Sequence, residues 1–242
     1  MVKGYKWARI LILRRHANIA RHIPETVLFS ATNLQNMLEK HGDIIVKPNA
    51  GSCGIGVVRI TESQDRYQLQ RDNKVSTAEN MEELANALRK RAGGRTLIIQ
   101  ERIPLAEVNE RPIDARVMVQ RKKGGDWSIT GTLIKVAGPG FIVTNTRRSG
   151  GKVLPLATAL RRSDVRNSAK SIQAKMEQLA LATAWVLGRH YKKQRVFGID
   201  MGIDKEGKVW LIETNFTPSV SLFRRLRDKS MYRRILRYLK PN

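Results

Sequence analysis

From residue 168 to 190 the positions Ile172, Met176, Leu179, Thr183 and Val186 recur at steps of four and three. That spacing lines one side of an α-helix and predicts a long one. The same steps at Met81, Leu84 and Leu88 predict a helix over 77–91. Ser30 or Thr32 is placed to cap a helix over 33–41, which Gly42 ends. Residues 5–22 mix apolar and basic side chains in a pattern compatible with a helix, and Pro24 stops it. Short β-rich runs lie between these stretches, at 43–47, 57–60 and 96–100. Two longer pairs read as hairpins: 113–121 with 127–136, and 196–203 with 208–212. The tail 222–239 places Tyr232, Ile235, Leu236 and Leu239 on one side and Arg224, Arg227 and Arg234 on another, an amphipathic helix. Helices mixed with antiparallel hairpins indicate an α+β fold rather than a doubly wound parallel sheet.

Composition narrows the class. The chain has 242 residues, 41% hydrophobic and 27% charged, which suits one large domain or two small lobes and excludes general disorder. No apolar run approaches the ~18 residues of a membrane span, and no signal-peptide core precedes Arg14 and Arg15. A single cysteine excludes a disulfide framework or Cys-rich zinc cluster, so a cytoplasmic setting is expected. Charge changes the picture most: 45 Lys and Arg stand against 21 Asp and Glu, a net +24. The excess is clustered near the N-terminus, around 147–170, over 189–195 and after 221. Such a surface attracts polyanions, or is a solvated basic face. Nucleic acid is the less favoured partner. Zinc-finger spacing and an aromatic-rich RNA-binding strand are both missing, and aromatics make up 6%.

Candidate chemistry falls in two places. If Ile203 pairs with Lys208 across the Asp204 turn, Asp200 lies opposite Leu211, and Asp200, Glu213 and Asn215 share one face. Two carboxylates and an amide oxygen suit Mg²⁺; a solvent-facing polar side is the plainer reading. A register moved by one residue would part Asp200 from Glu213. Gly198 and Gly202 flank Asp200 and would leave room for a bulky group. Asp204 suits the turn itself. The second place is the loop after Lys47, with Gly51, Ser52, Gly54 and Gly56. Its glycines would let main-chain N–H groups approach phosphate oxygens, Ser52 adds a donor and Lys47 a charge; a plain hairpin turn fits equally. It matches neither the Walker loop nor the dinucleotide fingerprint. Gln100, Glu101, Arg102 and Ile103 end a strand whose main chain could meet a base edge. Asp114 and Arg116 alternate onto one face of a hairpin strand. If Arg121 pairs with Asp126, Arg116 opposes Gly131 and Lys135 joins that face, giving a basic floor or a surface salt bridge.

Taken in order, these phrases resemble the ATP-grasp fold, and more closely the YheC/YheD family of endospore coat-associated ATP-grasp proteins. The matching segments are Ile45 to Pro48, Arg111 to Val117, Thr144-Asn145 with Gly150-Gly151, and Phe197 to Asp200 through Glu213-Thr-Asn215. The resemblance implies two α+β lobes with antiparallel sheets enclosing ATP; the sequence departs from the family pattern in that the Lys47 loop comes too early to leave space for the further N-terminal lobe that usually precedes them. It implies a basic segment over 1–23, a Gly-loop lobe over 24–103 and a metal-binding lobe over 104–242. Lys47 and the loop of Gly51, Ser52, Gly54 and Gly56 would contact phosphates, and Gln100, Glu101, Arg102 and Ile103 would line the adenine slot. Asp114 would lie near the ribose, with Asn145 near the phosphates and Arg116 and Lys135 as the catalytic cations. Asp200, Glu213 and Asn215 would carry one or two Mg²⁺, or Mn²⁺. The implied activity is an ATP-dependent carboxylate–amine or carboxylate–thiol ligase working through an acyl-phosphate. The acid and acceptor are open, an acidic polymer included. A partner or second copy would supply the missing lobe. The alternative is a non-catalytic ATP-grasp protein of the spore coat, and a third reading is a basic polyanion-binding protein.

Overall fold

The computed structural model describes residues 5–51, 54–63, 66–144, 146 and 149–240. The chain opens with helices α1 (Lys6–Arg14) and α2 (Ala17–Ala20), then strand β1 (Thr26–Leu28), helix α3 (Ala31–His41) and strand β2 (Asp43–Pro48). Strands β3 (Val58–Ser63), β4 (Arg66–Arg71) and β5 (Lys74–Ala78) lead to helix α4 (Met81–Ala92) and strand β6 (Leu97–Glu101). Next come β7 (Ile113–Gln120), β8 (Ser128–Val136), β9 (Lys152–Pro155), α5 (Leu156–Arg162) and α6 (Ala169–His190). The chain closes with β10 (Val196–Ile203), β11 (Val209–Asn215), α7 (Ser221–Arg224) and α8 (Ser230–Leu239). No described helix is long and apolar enough to cross a membrane.

Two antiparallel sheets result. The first runs β1-β6-β2-β3-β4-β5 and the second β11-β10-β7-β8-β9. Helices α3 and α4 cover the first sheet, burying Leu34, Met37, Leu38, Leu84 and Leu88 against Ile44, Ile60 and Ile99. Ser30 caps α3 by accepting from Asn33 N at 3.0 Å, and Gly42 ends it in the left-handed region at φ 65°. The predicted helix over 77–91 begins only at Met81. Asn80 caps it through Glu83 N, and Lys74–Ala78 is a strand paired with β4. Helix α6 packs its predicted stripe on the second sheet, together with α1 and α2. Thus Ile12, Leu13, Ile19 and Ile23 are buried in that core, and residues 5–23 brace the second lobe. The expected single tail helix is two pieces, α7 and α8, with Phe223 and Ile235 buried on the opposite face of the second sheet.

The second sheet separates its faces by alternation. Ile113, Ala115, Val117 and Val119 of β7 join Phe197, Ile199, Met201 and Ile203 of β10 in the main core. Asp114, Arg116 and Met118 therefore face the other way. In β11, Val209 and Leu211 also face the core, so strict alternation would drive Glu213 there too. A bulge at Ile212 prevents this. Met201 pairs with Leu211, whereas Asp200 pairs with Glu213. The register expected from the turn, with Asp200 opposite Leu211, is therefore incorrect. The shared face of Asp200, Glu213 and Asn215 survives because the extra residue returns them to one side. The β7–β8 expectation also shifts: Arg116 opposes Leu133, and Gly131 opposes Met118. That slip is an even one, so Arg116 and Lys135 still share a face.

Candidate active site

A cavity of about 330 Å³ lies between the two sheets. Lys47, Gly54 and the stretch from Gln100 to Ile103 reach it from the first sheet. Asp114, Arg116, Lys135, Asp200, Glu213 and Asn215 reach it from the second. Gly51 and Gly56 do not line it. Gly51 O accepts from Lys6 Nζ at 2.8 Å, and Gly56 at φ 78° sits where a Cβ would be 2.9 Å from Pro48 Cγ. Ser52 and Asn145 lie outside the described residues.

Asp200 is the hub. Its Oδ1 accepts from Arg116 Nε at 2.8 Å and Lys135 Nζ at 3.0 Å. Its Oδ2 accepts from Arg116 Nη2 at 2.8 Å and Asn215 Nδ2 at 3.0 Å. Burial pushes the Asp200 carboxyl up, but the two cations outweigh it and hold the group below the ordinary carboxylate range. Burial likewise disfavours the charged Lys135, and Asp114 and Asp200 reverse that. Lys135 Nζ is 3.0 Å from Asp114 Oδ1, an ion pair, and among the described residues this buried oxygen has no hydrogen bond. The other Asp114 oxygen accepts from Thr144 Oγ1. Burial raises the Asp114 pKa, only partly offset by Lys135.

Across the cavity, Lys47 Nζ donates to Gln100 Oε1 at 2.7 Å, and Gln100 Nε2 donates to Thr26 Oγ1 at 2.9 Å. That chain fixes the amide's orientation. Burial lowers the Lys47 pKa to about 8, against the opposing pull of Glu213. Glu101 accepts from Glu25 N at 3.0 Å, and Arg102 pairs with Asp43 at 3.0 Å. Both side chains are thus engaged elsewhere, and Glu101 N and Arg102 N donate to Glu25 O at 2.8 Å and Asp43 O at 3.3 Å.

Helix α1 contributes residues that the sequence reading missed. Lys6 Nζ donates to Pro48 O at 3.2 Å as well as to Gly51 O, and lies 3.7 Å from Glu213 Oε1. Arg9 donates to Thr214 O and stacks 5.0 Å from the Phe216 ring centroid. One short helix therefore ties the root of the glycine loop to the β11 carboxylate. The available signal was Lys6, Arg9 and Leu13 on one side at helical spacing, cations among core positions. The glycines beside Asp200 also differ from expectation. A Cβ at Gly198 would lie 2.4 Å from Pro218 Cβ, and one at Gly202 would lie 2.7 Å from Leu105 Cδ2. Their space is filled by the protein itself.

Mg²⁺ commonly takes one or two carboxylates and completes its shell with water and phosphate oxygens. Asp200, Glu213 and Asn215 supply such donors on one face, and the unbonded Asp114 Oδ1 adds a buried oxygen nearby. Among the described residues no group of three or more His, Cys, Asp or Glu side chains converges as a metal cluster, so the amide is part of any such set. The donor chemistry fits. An ion at Asp200 competes with the contacts from Arg116, Lys135 and Asn215.

A family model described as YheC/D like ATP-grasp matches residues 3–240. Endospore coat-associated protein YheD of Bacillus subtilis (strain 168) is 27% identical over 225 residues, covering 90% of this chain and 49% of that protein. Endospore coat-associated protein YheC of the same strain is 21% identical over 218 residues, covering 88% and 59%. The chain thus spans roughly half the length of these curated relatives. Among solved structures, D-cycloserine synthetase DcsG aligns with a TM-score of 0.54 at 15% identity, covering 96% of this chain and 72% of that one. The ATP-grasp ligase PsnB with a minimal precursor aligns at 0.56 and 15%, covering 97% and 60%. These structures share the fold: two α+β lobes with antiparallel sheets. With that architecture in place and the family model matched along nearly its whole length, the chain belongs to the YheC/D-like ATP-grasp family.

Proposed function

We propose that the protein binds Mg-ATP between its lobes and uses it to activate a carboxylate for attack by an amine or thiol. The observation that carries this reading is the facing of Lys47 and Gln100 to Asp200, Glu213 and Asn215 across one cavity. On this reading 1–23 is a basic N-terminal segment, 24–103 form the Gly-loop lobe and 104–242 the metal-binding lobe. Lys47 and Gly54 hold phosphate oxygens, and the main chain from Gln100 to Ile103 reads the base. Ser52 and Asn145 are assigned to the phosphates by resemblance alone. Asp114 lies near the ribose. Asp200, Glu213 and Asn215 would hold one or two Mg²⁺, or Mn²⁺, which supply Lewis-acid neutralisation of phosphate charge.

A carboxylate oxygen of the acid then bonds to the γ-phosphorus while the bridging P–O bond to ADP breaks. The amine nitrogen or thiol sulfur next attacks the acyl carbon. Inorganic phosphate leaves with its oxygen, and the attacking group loses its proton. Arg116 and Lys135 are fixed before substrate arrives, so stabilising the transferred charge requires little reorganisation. Supporting context comes from PsnB, solved with Mg and ADP, and from the ligases that share the fold.

A second reading keeps nucleotide binding without chemistry, as a coat-associated structural protein. It is favoured by the names of the two curated relatives and by the pairing of Arg116 and Lys135 with Asp200, which occupies both cations. The deciding assay is ADP and phosphate release from ATP across a panel of carboxylates with amines or thiols. The ligase reading expects release that needs both co-substrates and is lost in Lys135→Met. Tight ATP binding without release by any pair places the structural reading first.

A further inference from the structure

Three basic segments that are distant in sequence meet at the end of the second lobe away from the cleft. Arg121 N donates to Arg195 O at 3.0 Å, and the Arg121 guanidinium donates to Lys192 O and Gln194 O, each at 3.1 Å. Lys122 Nζ donates to Lys240 O at 3.1 Å, and Gln120 Nε2 to Ile235 O at 3.3 Å. The β7–β8 turn, the segment after α6 and the end of α8 therefore form one surface. Segments 121–123, 189–195 and 234–240 bring ten Lys and Arg residues to it and no carboxylate; Asp126 in the adjoining turn is the only acid. Some cations elsewhere are paired, as in Arg59–Asp43 and Lys205–Asp164. Among the described residues none of these ten forms an ion pair within 4.0 Å.

The surface also carries an aromatic platform. Trp185 is 53% exposed one helical turn before Arg189, whose guanidinium lies 4.8 Å from the indole centroid. Such an exposed ring beside a cation offers a surface on which a base can stack. On α8, Ile235 is fully buried beside Met118, Leu133 and Phe223, and Leu239 is the exposed large hydrophobic. One exposed leucine gives α8 little to insert into a bilayer, and its other exposed side chains include Arg233, Arg234 and Arg237. The patch begins where β7 ends, about 13 Å along the strand from Arg116, so it is separate from the cleft.

We propose that this end of the lobe is a docking surface for single-stranded nucleic acid, with the cations following the phosphates and Trp185 stacking a base. The test is fluorescence anisotropy of the full chain with a labelled oligothymidylate. Six phosphate contacts predict roughly a two-to-three order loss of affinity between 50 and 200 mM salt. The triple reversal Lys123→Glu, Lys192→Glu and Lys193→Glu should weaken binding at least about tenfold with no fall in melting temperature. Trp185→Ala should weaken oligothymidylate about tenfold and leave heparin binding unaltered. Equal binding by wild type and the triple variant overturns the proposal. So does capture by phosphatidylglycerol vesicles with no affinity for the oligonucleotide, which assigns the surface to a membrane.

Discussion

At the scale of single residues the cleft is an arrangement of charges removed from water, and Lys47 has the most readily measured consequence. Burial lowers its pKa to about 8, below its unfolded value near 10.5. Between these values the unfolded chain holds the extra proton, so the Lys47 contribution to stability rises with pH across that window. The phosphate role has the opposite sign, because only the protonated amine attracts phosphate. ATP affinity should fall as pH rises above about 8, and Lys47→Met should bind more weakly and lose that decline. Calorimetric titration from pH 7 to 9.5 measures both, and a flat wild-type profile would remove Lys47 from the phosphates. Lys47, Asp200, Glu213 and Asn215 were legible as candidates from residue type, but the register used to place the last three on one face was incorrect. Lys6 was not legible, because a lysine within a basic N-terminal run looks solvated until the fold seats it between Gly51 O and Glu213.

At the scale of elements, the long helix was legible because its apolar stripe matches the helical repeat over 22 residues. The bulge in β11 was not, because nothing in Leu211-Ile-Glu213 announces an extra residue. It forms since Leu211 is drawn to the core and Glu213 is excluded from it. Strands β4 and β5 were also missed, since much of that meander is exposed and has no apolar face to read. Helix α6 carries a sharp packing constraint at Gly188, where a Cβ would meet Trp127 Cζ2 at 2.7 Å. Trp127 has little freedom to retreat, with Phe197 5.0 Å away and the Arg121 guanidinium 4.5 Å from its ring. Alanine gains about 1 kcal/mol in helix propensity, but overpacking costs about 1–3 kcal/mol. The net is a loss of up to about 2 kcal/mol, so Gly188→Ala should lower the melting temperature by up to roughly 8 °C, at about 2–4 °C per kcal/mol. A rise would mean that the indole can move aside.

At the scale of the whole molecule the net charge of +24 is unusual for 242 residues, and part of it is structural. Lys6, Lys47, Arg116 and Lys135 surround the carboxylates of the cleft, whereas among the described residues the cations at the far end form no ion pair. Unpaired like charges repel and destabilise the compact state, and salt screens them with a Debye length near 10 Å at 0.1 M. The melting temperature should rise between 20 and 300 mM NaCl, as read by differential scanning fluorimetry. A fall would show that attractive pairs dominate. The two-lobed architecture was legible from antiparallel hairpins and helical stripes, but the seating of α1 across both lobes depends on contacts more than 200 residues apart in sequence, such as Arg9 with Thr214.

The central claim is that residues of two sheets form one Mg-ATP site. Its most direct test is calorimetric titration of Mg-ATP into the wild type and the double variant Asp200→Asn with Glu213→Gln, which keeps side-chain size and removes both charges. The account predicts magnesium-dependent binding by the wild type and at least a tenfold loss in the variant. A wild type that binds no nucleotide, or a variant that binds Mg-ATP equally well, would contradict it.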